Sequence, residues 1–215
     1  MFTVDLDQPA SVVDRLDRLL PPAERDAPAA IRVARAATRI VLAEELETDP
    51  VEVAISRECA HCGHPVHGRP TVAGNDRVSF SLSHSGTYAV IALAADGARV
   101  GVDVEEIRPR TRIDALAARV LNDDEHAAWS SIDDERERVR SFLAVWTAKE
   151  AYLKALGIGI TTRLRDVPRT VDGWTTRPLD LGETRVGALA ADRAAFEIRY
   201  ETLSPSAMSS GGIAR

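Results

Sequence analysis

Three strand-like runs, VSFSLSH, YAVIALAA and ARVGVDVEEI, follow one another between residues 78 and 107. Only Ser85-Gly86-Thr87 and Asp96-Gly97 separate them, and turns this short join neighbouring antiparallel strands. The predicted unit is a three-stranded meander. Its apolar residues need cover, and helical periods lie on both sides of it. SVVDRLDRLL brings Val12, Leu16, Leu19 and Leu20 to one side before Pro21-Pro22 ends the helix. A longer helix from about Pro28 repeats Ile31, Ala34, Thr38, Val41 and Leu42, and closes near Thr48-Asp49-Pro50. VEVAIS then alternates like a strand, and ECAHCGHPVHGRP reads as a loop by its Gly and Pro content.

The second half repeats the order. Asn122 is an N-cap for DDEHAAW, whose acidic residues suit a helix N-terminus. A long amphipathic helix runs from Glu135 to Leu156, with Gly157 as its C-terminal stop. Strand-like runs return in GWTTRPLDL, TRVGALAA and FEIRYETL. The expected fold is α+β, two similar α/β lobes in a pseudo-twofold arrangement. Each lobe is a long helix packed on a small, mostly antiparallel sheet. The lobes are expected at 1–106 and 107–203, followed by a disordered tail at 204–215.

At 215 residues, with 45 % apolar and 28 % charged, the chain can bury a substantial core. A net charge of −6 and no basic block argue against a nucleic-acid partner. No apolar run is long enough to span a bilayer, and MFTVDLDQPA does not read as a secretory leader, so a cytoplasmic protein is expected. Two cysteines, Cys59 and Cys62, are too few and too close for a disulfide framework.

Two features carry chemistry. In ARVGVDVEEI, Val100, Val102 and Val104 share one face, while Gly101, Asp103 and Glu105 share the other. Two carboxylates about 6.5 Å apart at their backbones can reach one cation, and Gly101 leaves room for something to approach. A solvent-facing polar side is the plainer reading of that face alone. Carboxylates without His or Cys beside them favour a hard cation, magnesium before zinc. The second feature is WTAKEAYLKAL. Of 27 basic residues only Lys149 and Lys154 are lysine. Trp146, Glu150 and Lys154 recur at i, i+4 and i+8 on one side of the helix, with Lys149 beside them. Arginine would serve a surface ion pair equally well, so a compact ammonium points to a tighter site.

Together, GVDVE and WTAKEAYLKA resemble the paired signature of the 4′-phosphopantetheinyl transferases of the surfactin-synthetase-activating type. That pattern runs G-[IV]-D-[IV]-E, then W-[ST]-x-K-E-[AS]-x-x-K. SFSLSHSGTYAVIALA is similar to the family's third block and HGRP to its fourth, so the resemblance covers about residues 67 to 160. It implies an enzyme that moves the phosphopantetheine arm of coenzyme A onto a serine of an apo acyl or peptidyl carrier protein and releases 3′,5′-ADP. It implies magnesium, or manganese in its place, held by Asp103, Glu105 and Glu150. Lys154 would contact the pyrophosphate, Lys149 would add positive potential, and Glu150 is preferred over Glu105 as the base. His84 and Ser83 would meet a coenzyme A phosphate. Gly68, Arg69 and Pro70 would hold the adenine end, with Arg69 where lysine is more frequent. Arg25, Arg32 and Arg35 are candidates for the 3′-phosphate, with a solvated helix face as the alternative.

Cys59, Cys62, His64 and His67, with His61, invite a zinc reading. Four ligands within nine residues are cramped, so a loop at the mouth of the adenine pocket is preferred. Leu116, Val120 and Leu121 are candidates for a carrier-docking patch, with core packing of that short helix as the equal alternative, and Arg108, Arg110 and Arg112 would meet an acidic carrier helix. A monomer is expected, because a two-lobed chain builds its own cleft. Two other functions fit the same residues: a non-catalytic regulator that binds coenzyme A or a carrier, and a magnesium-dependent phosphohydrolase.

Overall fold

A computed structural model of the protein describes residues 1–57, 68–108, 113–158, 162–168, 170–204 and 208. The elements, in order, are β1 (Phe2–Asp5), α1 (Ala10–Leu16), α2 (Ala29–Leu46), β2 (Ile55–Ser56), β3 (Thr71–Val72), β4 (Ser79–Ser85), β5 (Tyr88–Ala94) and β6 (Val100–Glu106). They continue with α3 (Asp114–Val120), α4 (Asp123–Ser130), α5 (Glu135–Leu156), β7 (Thr175–Pro178), β8 (Arg185–Ala191) and β9 (Glu201–Thr202). The fold is α+β, as expected. One sheet has the order β4-β5-β1-β9, a second has β6-β8-β7, and β2 and β3 form a small pair.

These sheets are sandwiched between the two long helices. Ala89 and Ile91 of β5 join the core that Val33, Ala37, Ile40 and Val41 of α2 build with α1. Val90 and Ala92, on the other face of β5, pack with Val100, Val102 and Val104 of β6. On the far side of the second sheet, Ala188 and Ala190 of β8 meet Ala151 of α5. The near-continuous apolar run of β5 is therefore the sign of a strand covered on both faces.

The meander stops after two strands. β4 and β5 are antiparallel neighbours, but β6 leaves that sheet and pairs with β8. At the other end of the chain, β9 runs parallel to β1. Strands thus cross the boundary expected at 106: β6 belongs to the sheet of the second half, and β9 to that of the first. The strand expected over VEVAIS begins instead as a 3-10 turn, Pro50–Glu52, because Asp49 caps Val51 N–H and Pro50 starts the turn. Only Ile55–Ser56 remains extended. Most of the expected tail lies outside the described residues.

Gly101 explains how close the second sheet sits to its helix. A Cβ there would stand 2.5 Å from the Ala155 nitrogen and 3.0 Å from its Cα, and would overlap the Ala151 carbonyl oxygen. The space beside Gly101 is filled by α5 itself, so it is not an opening for a ligand. Gly157 ends α5 with φ 74°, a left-handed cap that glycine adopts without strain.

Lys149 fastens α4 to α5. Asn122 Oδ1 accepts from Glu125 N–H at 2.8 Å, and Glu125 Oε2 accepts from Asn122 N–H at 2.9 Å, a reciprocal capping box. Lys149 Nζ donates to the same Glu125 Oε2 at 2.6 Å and to the Val120 carbonyl at 2.8 Å. Lys149 is 3 % exposed, and its point-like ammonium fits a slot between two acceptors that a planar guanidinium would overfill.

Two stability outcomes follow. Gly101→Ala is expected to lower the unfolding free energy by about 1–3 kcal/mol in urea denaturation, because backbone must move. Lys149→Met is expected to cost about 3–5 kcal/mol by leaving Glu125 buried beside no cation, and Lys149→Arg about 1–3 kcal/mol. Wild-type midpoints in these variants would contradict the close contact and the buried pair.

Candidate functional site

The free edge of β6 meets a row of hydroxyls. Ser79, Ser81, Ser83 and Ser85 alternate along β4 and share one face. Their Oγ atoms accept the backbone N–H groups of Val100, Val102, Val104 and Glu106 at 3.2, 3.0, 3.3 and 3.1 Å. Four amides of β6 that no strand pairs are thus satisfied by side chains. This serine ladder joins the two sheets and fixes β6 between β4 and α5.

Acidic side chains of β6 lie between the ladder and the helix. Asp103 is 5 % exposed, and its Oδ1 accepts from Ser83 Oγ at 2.8 Å and from Lys154 Nζ at 2.6 Å. Lys154 also donates to Ser83 Oγ at 3.0 Å. Asp103 Oδ2 is buried with no hydrogen-bond partner among the described residues. Glu105 Oε2 accepts from Ser85 Oγ at 2.8 Å. Glu150, one turn before Lys154 on α5, is half-buried.

Burial first, and then mutual repulsion, weakens the acidity of two of these groups. Burial pushes the Glu105 carboxyl up; Asp103 adds to the rise, while the Ser85 hydroxyl and Lys154 oppose it. Burial likewise raises Glu150, and the charges of Asp103 and Glu105 raise it further against Lys154. Three carboxylates from two elements therefore share one field with a single ammonium.

This donor set fits a hard divalent cation. It is all oxygen, it carries excess negative charge, and Asp103 Oδ2 is a buried acceptor with no donor among the described residues. The carboxylates are not drawn into a ready-made cage: among the described residues no three acidic, His or Cys side chains are gathered as a metal cluster. Lys154 occupies one oxygen of Asp103 and supplies the positive charge there. Asp103, Glu105 and Glu150 are the residues that would hold the cation.

The other expected site residues are distributed more widely. Lys149 is not brought to the carboxylates; its ammonium is committed to Glu125 and Val120. Ser83 is part of the cluster, but His84 alternates to the opposite face of β4 and is exposed. Gly68 is buried and donates its N–H to the Arg57 carbonyl at 2.8 Å, with Pro70 half-buried nearby in sequence. The Arg69 guanidinium turns to Ser79 Oγ and, at 3.4 Å, to the Ala155 carbonyl near the end of α5. Burial lowers its pKa, and Arg99 lowers it further. Arg25 Nε donates to the Leu20 carbonyl at 2.9 Å, and Arg32 is paired with Asp17. Arg35 lies 3.9 Å from Glu24, which also takes a two-pronged pair from the buried Arg39 at 3.0 and 3.1 Å.

At the candidate docking patch, core packing holds for two of the three residues. Val120 and Leu121 are each 1 % exposed and pack with Trp129, Phe142 and Leu153, leaving Leu116 as the exposed member. Arg108 pairs with Glu106 at 3.2 Å. Arg110, Arg112 and the Cys59, Cys62, His64 and His67 cluster lie outside the described residues. Sequence reading missed Ser85 and Glu125. The first was legible as the fourth member of a period-2 serine row, and the second as the N3 residue of a capping box.

Residues 99–199 match the family model of the 4′-phosphopantetheinyl transferase superfamily. The 4′-phosphopantetheinyl transferase psf-1 of Bacillus pumilus is 41 % identical over 96 residues, 44 % of this chain and 39 % of that protein. HetI of Nostoc sp., also a 4′-phosphopantetheinyl transferase, is 33 % identical over 126 residues, 59 % of this chain and 51 % of that one. The 4′-phosphopantetheinyl transferase AcpT of Salmonella typhi is 38 % identical over 90 residues, 42 % of this chain and 46 % of that one. The chain spans about half the length of these relatives, or less. The matched segment contains β6 and α5, the two elements that carry all three carboxylates and Lys154. Over residues 99–199 the chain is similar to the 4′-phosphopantetheinyl transferase superfamily.

Proposed function

We propose that this protein transfers the 4′-phosphopantetheine arm of coenzyme A to a serine of an apo acyl or peptidyl carrier protein, in the manner of the surfactin-synthetase-activating type. The observation that carries this reading is the meeting of Glu150 and Lys154 of α5 with Asp103 of β6, inside the segment that matches the family. The carrier serine oxygen forms a new bond to the phosphorus that bears pantetheine. The pyrophosphate P–O bond breaks, and 3′,5′-ADP leaves with the electron pair. A bound magnesium, or manganese, would neutralise charge that builds on the pyrophosphate.

This chain's residues do the rest. Lys154 is one-third exposed and reaches solvent from Asp103, so its ammonium can meet a phosphate oxygen of coenzyme A. Glu150 is the proposed acceptor of the serine proton, since burial and its acidic neighbours hold its pKa up. Gly68, Arg69 and Pro70 are proposed to border the adenine, and the exposed His84 a phosphate, while Ser83 stays within the acidic cluster. Arg25 and Arg32 remain proposals for the 3′-phosphate, each having to exchange a present partner. No helix among the described residues is long and apolar enough to cross a membrane. One chain supplies both site elements, so a monomer acting in the cytoplasm suffices.

Transfer is read by intact mass spectrometry of apo carrier proteins incubated with coenzyme A and magnesium. The expected result is a gain of one phosphopantetheine group that disappears with a chelator and in Glu150→Gln. Lys154→Arg is expected to lower transfer about a hundredfold with unchanged circular dichroism. Near-normal transfer by this variant would refute the role of Lys154, and release of free phosphopantetheine would mark a hydrolase.

A pH outcome follows from the raised acids. Folded-state pKa values above the unfolded ones give a contribution that is fully present below the unfolded pKa and lost as pH rises through the folded one. At neutral pH the ionised pair Glu105 and Glu150 therefore costs stability, and a divalent cation offsets that cost. Magnesium is expected to raise the melting temperature more at about pH 7.5 than at about pH 5. An increment independent of pH would contradict the assignment.

A further inference from the structure

We propose that Ser85 is a positioning residue for Glu105, holding one carboxylate oxygen so that the other is presented to the cation. This deepens the reading above and rests on it. Ser85 Oγ has one proton to give. Its lone-pair side is already claimed by the N–H of Glu106 at 3.1 Å, which arrives from β6 as the last rung of the ladder. The hydroxyl proton is thereby aimed at Glu105 Oε2, 2.8 Å away. Among the described residues no hydrogen bond is made to Glu105 Oε1. Backbone geometry thus sets the direction of the hydroxyl, and the hydroxyl sets the carboxylate.

The neighbouring rung repeats the device. Ser83 Oγ accepts from Val104 N–H and gives its proton to Asp103 Oδ1. Asp103 Oδ2 is left as the buried oxygen without a partner among the described residues. The two serines nearer the end of β4 therefore each take one oxygen of a β6 carboxylate. Ser81 accepts from Val102 N–H at 3.0 Å in the same ladder, yet no carboxylate among the described residues bonds to it. It performs the joining role alone.

Ser85 is also held firmly. It is the last residue of β4 and pairs with Tyr88 of β5 before the turn at Gly86, whose φ is 61°. A hydroxyl on a fixed strand end loses little freedom on orienting its neighbour. Outer partners of this kind tune a metal site through ligand orientation, at about 10–100-fold in affinity.

The experiment is a manganese titration of the metal-free full chain, followed by the loss of free-ion electron paramagnetic resonance signal. Wild type is compared with Ser85→Ala, Ser85→Thr and Ser81→Ala, with urea midpoints recorded for all four. Ser85→Ala is expected to bind manganese about tenfold more weakly. Ser81→Ala, which loses the same kind of rung, and Ser85→Thr, which keeps the hydroxyl, are expected to stay within about twofold of wild type. Equal weakening in Ser85→Ala and Ser81→Ala, or none in either, would overturn the positioning role and leave the ladder as a joint only. A wild-type chain that takes up no manganese would instead overturn the metal site itself, and this inference with it.

Discussion

A helix can settle onto a strand at backbone distance only where the strand has no side chain, and Gly101 provides that place. α5 sits so close to β6 that Ala151 and Ala155 fill the volume a methyl group would need. Ala188 and Ala190 of β8 extend the same low surface beneath the helix. Side chains flanking this contact are then brought within reach of one another. Lys154 meets Asp103 at 2.6 Å, and Glu150 shares the field of Asp103 and Glu105. With the helix further out, the carboxylates of the two elements would be separate surface charges.

Position across the strand is set from the other edge. β6 leaves the sheet of β4 and β5, yet its second edge is not exposed, because the four serines of β4 take its amides. A backbone-to-backbone ladder would have made one continuous sheet and left those hydroxyls idle. Side-chain acceptors let the two sheets stack at Val90, Ala92, Val100 and Val102 while still sharing an edge. The same hydroxyls bond Asp103 and Glu105 at the end of the row. The two lysines divide their work accordingly. Lys149 is buried against Glu125 and holds the helices, whereas Lys154 faces the acidic site.

Elements with strong local signals were legible in the sequence. α5 runs from Glu135 to Leu156 with Gly157 as its cap, and Asn122 caps α4, because caps and periodicity are local properties. Asp103, Glu105 and Glu150 were legible as a group through the paired motifs GVDVE and WTAKEAYLKA. Sheet membership was not. The run 98–107 has the pattern of a meander strand, but β6 answers to β8, a partner some eighty positions away in a segment with no pairing signal of its own. Gly101 was read as an opening because spacing gives no distance to a helix. The roles of Lys149 and of Val120 depended on which face of α5 meets α3 and α4, and a shared helical side is too coarse to decide between adjacent faces.

The proposed cation site depends on the Gly101 contact, which brings Asp103, Glu105 and Glu150 toward one another. Anomalous diffraction from crystals grown with manganese and coenzyme A tests it most directly. The predicted result is a single manganese peak at about 2.0–2.3 Å from an oxygen of each of the three carboxylates, with Lys154 moved from Asp103 toward phosphate. A peak elsewhere, or coenzyme A bound with Lys154 still on Asp103 and no manganese between the carboxylates, would contradict it.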